Sequence, residues 1–231
     1  QPATNPSLRL WWFQCVDDAL VIPVPLCEQV FTTVPQQKSP DPCVLEIVWN
    51  HRWEYDKGPD LLLAIVQQMQ QRNMRFRLHL LGQRFRASPG AFDELQASLK
   101  RYYEAQSITP GINAYLENTN DYYQCLASAD VALSTADHDF QGLSVLEAGA
   151  LGCTPLAPDR LVYPEYLSSQ HRYASGGDVC TQASAAVDKL EQWAHTKKAG
   201  SQLAQVNLQQ FRPSQLRDTY AALFQSVLKR T

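Results

Sequence analysis

With 231 residues, 45% of them hydrophobic and 19% charged, the chain can build a sizeable core and is excluded from the disordered class. Its formal net charge of −3 gives no general attraction to a membrane surface or to nucleic acid, and no apolar run reaches the ~18 residues of a transmembrane helix. The cysteines Cys15, Cys27, Cys43, Cys125, Cys153 and Cys180 form no Cys-x-x-Cys pair and no Cys/His cluster at zinc spacing, so they read as buried free thiols in a reducing, cytoplasmic setting.

Residues 1–42 read as an irregular extension or linker, with short strands expected at 8–13 and 19–26, the second limited to an edge by Pro23 and Pro25. Residues 43–231 read as one α/β domain. Val44 to Trp49 predicts a strand, and Leu62, Ile65, Val66 and Met69 recur at helical spacing over a helix from Pro59 to Asn73. A strand follows over Arg75–Leu81, ended by Gly82, then a helix over Phe92–Ala105 and a short strand at Ile108. Next come a helix at Asp121–Ser128, a strand at Asp130–Thr135, a helix at Leu143–Leu151 opened by Gly142, and a strand at Thr154–Ala157. Helices at Thr181–His195 and Ser214–Lys229 close the chain, the last with Leu216, Tyr220, Leu223, Phe224 and Val227 along a packing stripe. Strands alternating with helices predict a Rossmann-like parallel sheet with helices on both faces.

The chemistry concentrates in two loops. In an open parallel sheet, ligands bind beyond the carboxyl ends of the strands, where helix N-termini present unpaired amides and a positive dipole end. Asp139 and Glu147 bracket such a strand-to-helix turn with seven residues between them. Ionised carboxylates only accept hydrogen bonds, so they suit hydroxyls. The reading gives Asp139 to a sugar, Glu147 to a ribose and the amides of Gly142 and Leu143 to a phosphate. Arg52 and Lys57, in the loop after the first strand, supply cations for a diphosphate and for the charge that grows on it as it leaves.

These residues resemble a known family. Asp139-x7-Glu147, followed by Ala148 and Gly152-x-x-Pro155, resembles the Glu-x7-Glu signature of retaining glycosyltransferases of the GT-B fold, and Arg52-x4-Lys57-Gly58 resembles that family's Arg-x4-Lys-Gly element. Trp49-Asn-His-Arg-Trp-Glu54 with Asp56-Lys57, His138-Asp139-Phe140 and Leu161-Val-Tyr-Pro-Glu165 resembles the tRNA-queuosine mannosyltransferase group. The resemblance implies the C-terminal, donor-binding domain of a two-domain enzyme. GDP-mannose is the implied donor, queuosine in tRNA the acceptor, and no essential metal is involved. A chain that starts at Gln1 fits a piece expected to be inactive without its N-terminal partner domain. Gly82 is expected to line the nucleotide cleft, backbone groups near Ile112 to read the guanine, and His138 to stand beside the sugar. Asp139 departs from the family's Glu, and Asn50 stands where Gly is common.

Alternative readings stay open. Arg52 and Lys57 also fit surface charges paired with Glu54 and Asp56. Glu147 fits a solvated helix position, and Asp137-His138-Asp139 fits an Asp-x-Asp metal motif. Trp49, Trp53 and Tyr55 are either core or stacking residues, and Arg84 is a further phosphate candidate. At the level of the whole protein, a non-catalytic sugar-nucleotide sensor and a nonhydrolysing epimerase share the pattern.

Overall fold

The computed structural model describes residues 21–33, 38 and 41–228. Two compact units result, one spanning Leu26–Leu208 and the other formed by the two ends of the chain, of which 21–25 and 209–228 are described. The division differs from a boundary at residue 42. Leu26 and Val30 are buried, and the short helix α1 (Gln29–Thr32) belongs to the unit that holds the sheet.

That sheet has six parallel strands: β1 (Leu45–Asn50), β2 (Phe76–Leu81), β3 (Asn113–Ala114), β4 (Val131–Leu133), β5 (Thr154–Pro158) and β6 (Arg172–Tyr173). Their order is β3-β2-β1-β4-β5-β6. The order reverses between β1 and β4, which opens a crevice at their carboxyl ends. The connecting helices are α2 (Pro59–Gln71), α3 (Ala91–Gln106), α4 (Thr119–Ser128), α5 (Leu143–Ala150), α6 (Tyr163–Tyr166) and α7 (Val179–Lys198).

Side chains alternate across the sheet. Leu45, Ile47 and Trp49 of β1 and Phe76, Leu78 and Leu80 of β2 share one core with α2, α3 and α7. The predicted stripe Leu62, Ile65, Val66 and Met69 is fully buried there. The opposite face carries Glu46, whose carboxylate is buried between Arg77 (2.7 Å) and His79 (3.3 Å), and Asn50, which meets α4. The Rossmann-like sheet expected from the sequence is therefore present.

Several local expectations need correction. Ile108 is not in a strand; it is a buried core residue, and the edge strand starts only after Pro110-Gly111. The strand expected at 19–26 does not form over its described residues, while 8–13 lies outside them. Among the described cysteines, Cys125 and Cys153 are buried, with burial pushing their thiols up to about 11 and about 12, and Cys27, Cys43 and Cys180 are exposed; Cys15 lies outside the described residues. The last helix, α8 (Pro213–Leu228), buries only Leu216 of its expected stripe, and Phe224 and Val227 are exposed.

Candidate functional site

The loops after β1 and β4 are tied together. Thr135 accepts a hydrogen bond from Trp49 Nε1 (2.9 Å) and donates its one hydroxyl hydrogen to the Lys57 carbonyl (2.7 Å). The Asp56 carbonyl accepts from the amides of Asp137 (2.9 Å) and His138 (3.1 Å). Gly58, at φ +63°, starts α2 in a left-handed conformation, and a Cβ there would overlap the Thr135 carbonyl oxygen. The Arg-x4-Lys-Gly spacing thus ends in a glycine because two backbones touch.

Lys57 is drawn across this junction. Its ammonium donates to the His138 carbonyl at 2.6 Å and pairs with Asp56 at 3.1 Å, with 11% of the side chain exposed. Arg52 lies in the same loop but is 59% exposed, and it pairs with Glu54 at 3.1 Å. Both neighbouring ion pairs considered from the sequence are therefore formed. Lys57 is also placed against the β4–α5 loop, and Arg52 has its fork held by Glu54.

Asp139 is half-buried beside the start of α5. Its Oδ1 accepts from the Gly142 amide (3.2 Å) and its Oδ2 from Tyr163 (2.9 Å). Gly142 has φ +68°, and a Cβ on it would run into the phenols of Tyr163 and Tyr166. Tyr166 donates to the Gln141 carbonyl at 3.0 Å. The Gly142 amide is thus engaged by Asp139. Leu143 and Ser144, the first two helical residues, have no carbonyl one turn back within α5, so their amides point outward at its positive end. Leu143 and His138 are exposed.

Glu147, on the second turn of α5, accepts from Tyr122 at 2.7 Å, and Tyr122 accepts from Asn50 Nδ2 at 2.6 Å. Burial raises the Glu147 carboxyl above its usual range, and the Tyr122 hydroxyl partly offsets this. His51 is buried against the edge of Trp49, with Nε2 unpartnered; burial pushes it down to about 4, so it is neutral at physiological pH.

The remaining candidates are placed as follows. Gly82 abuts the His51 carbonyl so closely that no side chain fits, which sets the spacing between the loops after β1 and β2. Ile112 is exposed at the β3 edge, but its amide donates to His79 Nδ1 (3.1 Å) and its carbonyl accepts from Leu80 (2.8 Å). Arg84 pairs with Asp93 at 2.7 Å and lies over Trp53. Trp49 and Trp53 are core residues, Trp53 stacked on Phe92, and Tyr55 is exposed. Asp137 pairs with Arg160 (2.6 Å), so the two carboxylates of Asp-x-Asp have separate partners, and among the described residues no three His, Cys, Asp or Glu side chains gather as a metal cluster.

One end of the sheet thus combines an ammonium, outward amides at a helix N-terminus and two half-buried carboxylates. Cations and amides suit phosphate oxygens, and carboxylates suit hydroxyls. Sequence reading missed Tyr122, Ser134 and Thr135, which hold these groups, Asn50 in place of a Gly being the one visible signal. Tyr163-Pro-Glu165, read as closing the donor cleft or beginning a helix, does begin α6, and its Tyr163 also holds Asp139.

The sequence profile of the group 1 glycosyl transferases matches residues 35–207. The chain belongs to that family. Over 129 residues, 56% of this chain, it is 35% identical to the tRNA-queuosine alpha-mannosyltransferase of Drosophila melanogaster, and the match spans 32% of that protein's length. Among solved structures, a glycosyltransferase from Rickettsia africae superposes with a TM-score of 0.62 at 13% identity, over 93% of this chain and 59% of that one. An E. coli trehalose-6-phosphate structure bound with UDP-2-fluoro glucose gives 0.59 at 15% identity, over 92% and 52%. The fold is that of a GT-B-type glycosyltransferase domain. The chain spans little more than half the length of these structures. No described helix of this group 1 glycosyltransferase is long and apolar enough to cross a membrane.

Proposed function

We propose that this chain is the donor-binding domain of a retaining mannosyltransferase that uses GDP-mannose and delivers mannose to queuosine in tRNA. The observation that supports it most is the approach of Lys57 to the loop that carries Asp139 into α5, on the crevice between β1 and β4. The 35% identity to a tRNA-queuosine alpha-mannosyltransferase supports mannose as the sugar and queuosine in tRNA as the acceptor; the GDP carrier rests on the sequence resemblance.

In this reading the diphosphate lies between Lys57 and the amides of Leu143 and Ser144, with Arg52 released from Glu54 to a phosphate oxygen. Asp139 accepts from the mannose hydroxyls. Its side chain is about one C–C bond shorter than the family's Glu, and it is held firmly by Tyr163 and Gly142. Glu147 accepts from the ribose. As the bond from the anomeric carbon to the diphosphate breaks, the charge that develops on the leaving oxygen is stabilised by Lys57, Arg52 and the helix amides. The acceptor hydroxyl attacks the oxocarbenium-like carbon on the same face. Residues outside this chain supply the acceptor's side of the cleft, so the isolated chain gives no turnover.

The test is to incubate the full-length protein with GDP-mannose and queuosine-bearing tRNA, then identify the modified nucleoside by mass spectrometry and its anomeric configuration by NMR. An α-mannosylated queuosine is the expected product. A β-linked product, or transfer from UDP-glucose but not from GDP-mannose, contradicts the reading.

A further inference from the structure

Asn50, Tyr122 and Glu147 come from three different elements, the end of β1, α4 and α5, yet they form one hydrogen-bonded line. Its polarity is fixed. A phenol has one hydrogen, and Tyr122 gives it to Glu147 Oε2 at 2.7 Å. The phenol oxygen is then an acceptor for Asn50, and the Asn50 amide nitrogen faces it at 2.6 Å. Had Asn50 presented its carbonyl, Tyr122 would face two acceptors with one hydrogen.

We propose that Tyr122, oriented by Asn50, is a positioning residue that occupies one oxygen of Glu147 and aims the other at a ribose hydroxyl of the donor. The inference rests on the reading of Glu147 as the ribose ligand and deepens it. A carboxylate free at both oxygens rotates about its last bond and presents either oxygen to a ligand. Pinned through Oε2, the Glu147 carboxylate presents Oε1 in one direction, and a hydroxyl placed there is bound without the cost of ordering the side chain. Glycine at position 50 would leave the phenol without its donor, so the departure from the family at Asn50 and the presence of Tyr122 on α4 form one device. Burial, reinforced by the Glu147 charge, raises the Tyr122 phenol above its ordinary range, so the proton stays on the tyrosine and the line keeps its direction.

The test measures binding of GDP, 2′-deoxy-GDP and 3′-deoxy-GDP to the full-length protein by calorimetry, for the wild type, Tyr122→Phe and Asn50→Asp. The first variant keeps the ring and removes only the hydroxyl. The second puts a carboxylate in competition with Glu147 for the Tyr122 proton while leaving the phenol in place. The wild type is expected to bind one deoxy analogue about tenfold more weakly than GDP, the loss of a hydrogen bond to a charged group. In both variants that ratio collapses towards one, the KM for the donor rises, and kcat changes little. A wild-type ratio of one shows that Glu147 does not read the ribose and overturns both the inference and the reading beneath it. A wild-type ratio near ten that survives in both variants overturns the positioning role of Tyr122 alone.

Discussion

The phenol of Tyr163 stands 2.9 Å from Oδ2 of Asp139 and fixes the carboxylate beside the start of α5. Since Tyr163 gives its hydrogen to Asp139, Ser134 must donate to the Tyr163 oxygen, at 2.8 Å. Burial, reinforced by the Asp139 charge, pushes the phenol well above its ordinary pKa and keeps it a donor. Tyr163→Phe is expected to keep the fold, at a cost of about 1 kcal/mol, and to lower kcat by about tenfold, because a loosened Asp139 no longer meets the sugar in one geometry. Steady-state kinetics together with a denaturant midpoint check both halves. A kcat equal to wild type would show that Asp139 needs no such support.

Gly58 is a sharper structural test. A methyl group at position 58 would meet the Thr135 carbonyl, and φ +63° is itself unfavourable for alanine. Gly58→Ala is expected to lower stability by roughly 3 kcal/mol, from overpacking and backbone strain together. Urea unfolding measures this, and a loss under ~1 kcal/mol would mean that the loops after β1 and β4 slide past each other more easily than their contacts imply.

His51 makes stability depend on pH. Burial lowers its pKa from 6.5 to about 4, with Asp139 and Asp56 opposing the shift and Lys57 adding to it. Between those values the unfolded chain binds a proton that the folded chain refuses, so stability falls as pH falls from about 6.5 to about 4, by about 1 kcal/mol per pH unit. His51→Gln removes the titrating group. Unfolding free energies at pH 7 and pH 5 should differ less in that variant than in wild type, and an unchanged difference assigns the acid sensitivity to other groups.

Metal removal gives a further check. If Lys57, Arg52 and the α5 amides neutralise the leaving diphosphate, turnover by the full-length protein is unchanged after dialysis against EDTA. Activity lost to EDTA and restored by Mg²⁺ or Mn²⁺ would move the Asp137-His138-Asp139 segment to a metal-binding role.

The sheet was legible because its signals are periodic. Leu62, Ile65, Val66 and Met69 mark a helix face by spacing alone, and all four are buried. Asp139, Gly142 and Glu147 were legible because a strand-to-helix turn concentrates glycine and acid within one segment. The groups that hold them were not. Tyr122 and Glu147 are 25 residues apart, Trp49 and Thr135 are 86 apart, and no local pattern announces either hydrogen bond. Ile108 was misplaced because an isolated apolar residue before Pro110-Gly111 fits a strand and a buried loop equally well. The exposure of Cys27, Cys43 and Cys180 has the same origin, since a small apolar side chain carries no mark of which way it faces.

The claim on which the functional reading depends is that Lys57 and the start of α5 enclose a diphosphate, and titration calorimetry of the full-length protein with GDP and GMP tests it most directly. The wild type is predicted to bind GDP at least about tenfold more tightly than GMP, and Lys57→Met to lose most of that preference while binding GMP as before. Equal affinity of the wild type for the two nucleotides, or an unchanged preference in Lys57→Met, would contradict it.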